Sequence, residues 1–397
     1  MTDLPADSSP EAPAPETVVP ETVVPETVVP ETVVPETVIP ETQYSAIAPL
    51  LAAHLSGTPL SAAQLAQILA WELGDPRRAA AWGITPANGE AQLRERLHWL
   101  QALVPHHRSL PLPPAPMERY LELYWRLWLP LALTLKQARD QLSAPLIQGV
   151  LGGQGTGKTT LTLILRHLLG VMGYKAVGLS IDDIYKTYAD RQLLVKADPR
   201  LRWRGPPGTH DIDLGLAALA QVRSAPRGEA IALPRFDKSL HRGEGDRADP
   251  EWVQNVDILL FEGWFLGARP TDPTRFDQAP EPIATEADRQ FARDMNAQLA
   301  TYLPLWDCLD RLMVLCPANY RLSKQWRKDA EHQMKAQGKT GMSDATIDAF
   351  VDYFWRALHP ELFIDPLKSD GEHVNLVVEI DRDRTPRAIY APALAMI

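Results

Sequence analysis

Nine consecutive residues, Gly152-Gly153-Gln154-Gly155-Thr156-Gly157-Lys158-Thr159-Thr160, carry the densest chemical signal in the chain. They fit the spacing G-x-x-x-x-G-K-S/T, in which glycines let the backbone curl until successive N–H groups point at phosphate oxygens. Lys158 would then reach the β- and γ-phosphates of a nucleotide, and the Thr159 hydroxyl would ligate a magnesium ion. The flanks suit that role. Leu146–Leu151 is a short apolar run of buried-strand type, and Leu161–Leu169 has helical periodicity. A helix beginning on the loop adds its positive N-terminal end to the site.

Two acidic positions could complete the chemistry. Asp182 closes the apolar run Lys175–Ile181 in Ser180-Ile181-Asp182-Asp183-Ile184-Tyr185. A carboxylate there can take the proton of an attacking hydroxyl or hold that hydroxyl toward the γ-phosphate, while Asp183 is expected to cap the helix that follows. Glu262 ends Ile258-Leu259-Leu260-Phe261-Glu262-Gly263, a hydrophobic strand closed by a carboxylate, and would hold magnesium directly or through water beside Thr159. Polar, turn-rich segments lie between these strands, at 202–211, 234–239 and 241–247. They bring His210, Arg235, Asp237, Lys238, His241, Arg242 and Arg247, a concentration of mostly cationic groups that suits a small anionic acceptor. Any one Arg or His of them, taken alone, reads as a surface or structural residue; the grouping carries the expectation.

The elements that must position these groups are legible as alternating strands and helices from Pro145 onward. Further strands are expected at Ala230–Leu233, Asp257–Phe261, Arg311–Leu315 and Val374–Ile380. The fold class is therefore α/β, a mainly parallel sheet of the P-loop NTPase type with helices on both faces and ligands beyond the carboxyl ends of the strands. Residues 44–143 read as a helical N-terminal region. Ser61 with Gln64 predicts a capping box for a helix to Leu73 stopped by Gly74, and Asn88 predicts a cap for a helix through Leu103. A third helix starts near Met117 and is bent or interrupted at Pro130. Five of the eleven tryptophans, Trp71, Trp82, Trp99, Trp125 and Trp128, fall in this region at helical spacing, which marks them as core.

Residues 1–43 repeat Pro-Glu-Thr-Val-Val and hold nine carboxylates with no Lys or Arg, so residues 44–397 carry a net charge of only −1 out of −10. A disordered acidic tail is expected there, extended by like-charge repulsion and by proline, and the near-neutral remainder gives no support for nucleic-acid binding. Cys308 and Cys316 are the only cysteines, and their spacing suits neither zinc nor a disulfide framework. With no basic-then-apolar opening, and with Leu121–Leu135 broken by Glu122, Arg126 and Pro130, neither secretion nor a membrane span is expected, and the cytoplasm is the implied compartment.

The order of phosphate loop, Asp182, Pro234-Arg235-Phe236-Asp237 and Phe261-Glu262-Gly263 resembles the phosphoribulokinase, uridine kinase and pantothenate kinase superfamily. Gly208-Thr209-His210-Asp211, the 234–247 segment and Phe261-Glu262-Gly263-Trp264 are similar to D-glycerate 3-kinases of the plant and cyanobacterial type. So are Trp326-Arg327 through Ala330-Glu331 and the Gly338–Asp344 run that follows. The resemblance runs from about Tyr124 to the C-terminus, with a kinase domain at 144–397 and a lid at about 319–360. It implies transfer of the ATP γ-phosphate, with Mg2+, to the 3-hydroxyl of D-glycerate, the last step of photorespiratory carbon recovery. By the same resemblance Asp182 is the base, Lys158 and Thr159 hold phosphate and metal, and Arg327 is the lid cation; Arg321, Lys335 and Lys339 are the alternatives for that last role. Sibling kinases acting on a nucleoside, a sugar phosphate or pantothenate remain the nearest alternative. A nucleotide switch is the more distant one, without an N-K-x-D guanine motif to support it.

Overall fold

The computed structural model describes residues 47–110, 112, 115–336 and 341–393; the acidic repeat and Gly338, Lys339 and Thr340 lie outside the described residues. The N-terminal region is helical: α1 (Ala48–Leu55), α2 (Ala62–Leu73), α3 (Pro76–Ala81), α4 (Gly89–Leu103), α5 (Met117–Leu123) and α6 (Leu129–Asp140). Ser61 opens α2 with a reciprocal capping box, its hydroxyl accepting from the Gln64 N–H while the Gln64 side chain accepts from the Ser61 N–H. Asn88 stands before α4 but does not cap it. Its side-chain oxygen accepts instead from the Thr85 N–H at 2.8 Å and closes the preceding turn. The irregularity expected at Pro130 is displaced one turn earlier, into a π-helical segment at Tyr124–Trp128 where the Leu129 N–H reaches back to the Tyr124 carbonyl. Pro130 has no N–H to continue the ordinary pattern, and the longer turn absorbs the gap.

One buried ionic cluster holds these helices together. Glu72 accepts from Arg78 at 3.3 Å and from Arg96 at 3.0 Å, and all three side chains are buried. Removing the central charge would leave two guanidinium groups in the core with nothing to balance them. Glu72→Gln is therefore expected to destabilise the protein by about 3–5 kcal/mol, read as a lower urea midpoint. An unchanged midpoint would show that the cluster does not hold the helices.

From Pro145 the chain forms β1 (Leu146–Gly152), α7 (Lys158–Val171), β2 (Ala176–Ser180), α8 (Tyr188–Ala197), α9 (Ile212–Ser224), β3 (Ala230–Asp237), β4 (Asp246–Gln254) and β5 (Ile258–Gly263). It continues through α10 (Glu286–Gln298), α11 (Leu303–Trp306), β6 (Arg311–Pro317), α12 (Leu322–Ala336), α13 (Asp344–Ala357), α14 (Pro360–Phe363), β7 (Leu376–Ile380) and β8 (Pro386–Tyr390). The main sheet has the order β2-β5-β1-β6-β7-β8, parallel except for β8, which pairs antiparallel with β7. The strand expected at Ala230–Leu233 does not join it. That strand runs on to Asp237 and pairs antiparallel with β4 in a separate two-stranded sheet, a partner with no clear apolar alternation of its own.

Alternate residues of the central strands feed two cores. Along β6, Leu312, Val314 and Cys316 face a core shared with α9, α10 and α13, whereas Met313 and Leu315 face one shared with α7 and the N-terminal helices. The N-terminal helices and α7 thus share one face of the sheet, with Trp125 fully enclosed and Trp82 and Trp128 buried in the same core. Both cysteines are free thiols; Cys308 precedes β6 and Cys316 lies near its far end, so the extended strand keeps them apart. Among the described residues no helix is long and apolar enough to cross a membrane.

Candidate active site

The phosphate loop joins the carboxyl end of β1 to α7, next to β5 and β6, where the chain's route across the sheet reverses and a ligand crevice is expected. Gly155 and Gly157 have φ of +75° and +84°, a left-handed backbone that favours glycine. Space is tight as well. A Cβ on Gly152 would stand 2.7 Å from the Thr156 hydroxyl, and one on Gly155 would stand 2.8 Å from Cβ of Trp326 at the start of α12. The Thr156 hydroxyl donates to the Gly153 carbonyl at 2.8 Å and closes the curl. Lys158 and Thr160 are buried in the first turn of α7, and Gly153 and Gln154 line a cavity of about 510 Å3 that also reaches Trp264, Asn319 and Arg321.

Register between β1 and β5 sets Val150 opposite Glu262, so the loop and the end of β5 meet. There the Thr159 hydroxyl donates to Glu262 Oε1 at 2.9 Å, and Glu262 is buried. A hydroxyl and a carboxylate side by side, with a buried ammonium next in sequence to the hydroxyl, form a hard-oxygen pair. Magnesium in nucleotide sites draws one or two such oxygens from the protein and the rest from phosphate and water, so this donor set fits that ion.

The adjacent carboxylates after β2 have different surroundings. Asp183 is taken up by its own turn and a brace: its Oδ2 accepts from the Ser180 N–H at 2.9 Å and from Arg235 at 3.0 Å. Asp182 points elsewhere and pairs with Lys238 at 2.7 Å. Enclosure pushes the Asp182 carboxyl up, but Lys238, with Lys158 behind it, outweighs that effect and holds it well below the usual carboxylate range. Burial dominates for Asp183, which is raised despite Arg235.

The Gly208–Asp211 segment is brought to this place by a short antiparallel bridge between Tyr185 and His210. The Lys186 N–H donates to the Thr209 carbonyl at 3.0 Å and the Asp211 N–H to the Ile184 carbonyl at 2.7 Å. His210 is thereby buried, stacked on the Tyr185 ring at 4.5 Å, and burial pushes its pKa down to about 3, so the imidazole is neutral at physiological pH.

The other expected acceptor ligands with described side-chain partners meet groups other than Asp182. Arg235 donates to Asp183, Glu251 and the Gly178 carbonyl, and so pins the β3–β4 hairpin to β2. Arg247 pairs with Asp211 and donates to the Tyr185 carbonyl, bracing the same segment from the other side. Asp237 accepts from the Ser239 N–H and hydroxyl in a tight turn. His241 stacks on Tyr188 at 4.0 Å and meets Asp246 at 3.1 Å, while Arg242 is exposed with φ of +59°. In the lid helix, Arg327 lies 3.7 Å from the buried Glu331 and over the Phe350 ring, Lys335 donates to the Met342 carbonyl, and Arg321 lies over the Tyr320 ring at 4.6 Å. Lys339 lies outside the described residues.

Two residues at the site escaped sequence reading. Arg384, in the turn between β7 and β8, donates from Nε to the Gly155 carbonyl at 2.7 Å and stacks over Trp326 at 4.9 Å. It also has a left-handed backbone, φ +64°, and burial pushes its pKa down to about 10. Tyr302 hydrogen-bonds His210. The polar run Asp381–Thr385 after the last parallel strand was a signal for the first; nothing local distinguishes Tyr302.

No protein-family model matches the chain. A chloroplastic D-glycerate 3-kinase of Arabidopsis thaliana is 33% identical over 61% of this chain and 54% of its own length, so the chain spans about half of that relative. An uncharacterized kinase of Schizosaccharomyces pombe is 30% identical over 62% of this chain and 91% of its own. Among solved structures, a D-glycerate 3-kinase of Cryptococcus neoformans superposes with a TM-score of 0.58 at 30% identity, over 66% of this chain and 96% of that one.

Proposed function

Because the chain belongs to the D-glycerate 3-kinase family of P-loop kinases, we propose that it transfers the γ-phosphoryl group of ATP to the 3-hydroxyl of D-glycerate, giving 3-phosphoglycerate. The observation that carries this reading is the separation of Asp182 from Asp183. One carboxylate is spent on its turn and on Arg235, while its neighbour is held ionised by Lys238 in the same electrostatic field as Lys158.

In this reading the loop N–H groups and the start of α7 hold the phosphates, and Lys158 neutralises the β and γ oxygens. Thr159 and Glu262 would hold Mg2+, which when bound would supply charge neutralisation at the phosphates. Asp182 accepts the hydrogen bond of the 3-hydroxyl and aligns it for in-line attack; Lys238 keeps that carboxylate charged and brings a cation close to an acid substrate. Arg327 serves as the lid cation, and its neighbour Trp326 already rests against Gly155. The roles of Arg235 and Arg247 shift from ligands to braces that fix the segments carrying Lys238 and His210. We place the reaction in the cytoplasm, where both thiols stay reduced, and by the resemblance in photorespiratory carbon recovery.

The test is ATP labelled at the γ position, incubated with Mg2+ and with D-glycerate, uridine, ribulose 5-phosphate or pantothenate in turn. Label is expected in 3-phosphoglycerate alone. Label on another acceptor would assign a sibling activity, and release of inorganic phosphate with no phosphorylated acceptor would sink the kinase reading.

A further inference from the structure

The hydrogen bonds around Tyr302 fix where the proton of His210 resides. The Tyr302 oxygen accepts from the backbone N–H of Gly208 at 2.9 Å. The phenolic O–H needs an acceptor of its own, and among the described residues the one within hydrogen-bond reach is His210 Nδ1 at 2.7 Å. Nδ1 is consequently the acceptor nitrogen and Nε2 carries the hydrogen. That Nε2–H is fully buried and has no hydrogen-bond partner among the described residues. The bridge to Tyr185, three residues after Asp182, brings the ring to the segment that carries the carboxylate assigned to the attacking hydroxyl.

We propose that His210 is a fixed, uncharged N–H donor to an oxygen of the acceptor acid other than the one phosphorylated, and that Tyr302 is the positioning residue that locks its tautomer. The inference rests on the acceptor site being the one beside Asp182. A buried donor with no partner costs free energy unless a ligand supplies one, so an acceptor presenting a lone pair there is selected over one presenting a hydrogen or a methyl group. Neutrality matters too. A ring that stayed cationic would compete with Lys238 for Asp182, whereas a neutral donor leaves that ion pair intact. The left-handed Gly208, φ +94°, turns the backbone so that its N–H meets the same phenol oxygen that His210 Nδ1 faces.

Two measurements test this on the full chain. In nitrogen-15 NMR of histidine-labelled protein, the His210 signal, assigned by its loss in His210→Gln, should show a hydrogen on Nε2 and none on Nδ1 from pH 5 to 8. Tyr302→Phe should give a mixture of tautomers or the reverse one. A hydrogen on Nδ1 in the unsubstituted protein, or a cationic ring at pH 6, would overturn the proposal, and neither result depends on which acceptor is phosphorylated. In kinetics, His210→Ala should raise the acceptor KM by at least about tenfold with the ATP KM unchanged, the loss of one hydrogen bond to a charged oxygen. His210→Gln, whose amide nitrogen can reach the Nε2 position, should recover most of that loss. Equal acceptor KM values in His210→Ala and the unsubstituted protein would refute the donor role. Failure of the glycerate reading would appear separately, as no phosphoglycerate from the unsubstituted protein.

Discussion

Asp182→Asn is expected to lower kcat roughly 100- to 10,000-fold while ATP still binds, because the group that aligns the acceptor hydroxyl is lost and the phosphate loop is untouched. The structure narrows what kind of help Asp182 gives. A carboxyl held well below the usual range by Lys238 and Lys158 is a weak proton acceptor. In a loose phosphoryl-transfer transition state, however, little negative charge need build on the attacking oxygen early, so a strong base is not required. Orientation and a fixed negative charge suffice. The sign of the shift makes this testable. With its folded pKa depressed, Asp182 is ionised from about pH 4 upward, so it contributes no change in protonation between pH 5 and 9. The acid limb of kcat/KM should keep its shape in Asp182→Asn, at a lower rate throughout. A limb present in the parent and absent in the variant would show Asp182 titrating there and would contradict the electrostatics; near-parental turnover would remove Asp182 from the reaction.

Lys158→Ala should cost roughly 100- to 1,000-fold in kcat/KM for ATP, the scale for deleting one preorganised positive donor from a site of developing charge. Lys158 is buried at the first position of α7, so bulk water screens its ammonium poorly. The substitution also removes a cation that holds Asp182 down, and the acceptor side should feel it through a higher acceptor KM. A folded Lys158→Ala protein with parental activity would sink the phosphate-loop reading. Comparing the two variants separates the halves of the site: Asp182→Asn should spare nucleotide binding, and Lys158→Ala should not.

How much of this could be read from the chain depends on the range of the interaction concerned. The loop, the strands β1, β2, β5, β6 and β7 and the capping box at Ser61 follow from contacts between near neighbours: glycines at left-handed positions, short apolar runs, and a hydroxyl three residues from its partner. Such features are written where they act. The β3–β4 hairpin was only half visible. β4 has an almost fully exposed face, so nothing in its own sequence separates it from a loop, and its pairing with β3 instead of the main sheet is a tertiary outcome.

The site shows the same division. Sequence alone placed Gly152–Thr160, Asp182 and Glu262 at the carboxyl ends of strands, because a parallel sheet carries its ligand groups there whatever the packing. It also gathered the cations that an anionic substrate would need. What it did not determine was how those charges would be partnered. Arg235 reaches across from residue 235 to residue 183 and Arg247 to residue 211 as ion pairs, and Arg384 donates to the carbonyl of residue 155, so contacts across the fold decide how each cation is partnered. The distinction between Asp182 and Asp183, adjacent and identical in the sequence, came only from their surroundings: a capped turn and an arginine for one, two lysines for the other. Tyr302, ninety-two residues from His210, meets the His210 ring and the Gly208 N–H through two hydrogen bonds that no local pattern announces. The sequence by itself determined that a loop of phosphate-binding type and carboxylates stand at the ends of strands; the tertiary structure decided how each carboxylate is partnered and what surrounds His210, because both depend on groups that meet only when the chain has folded.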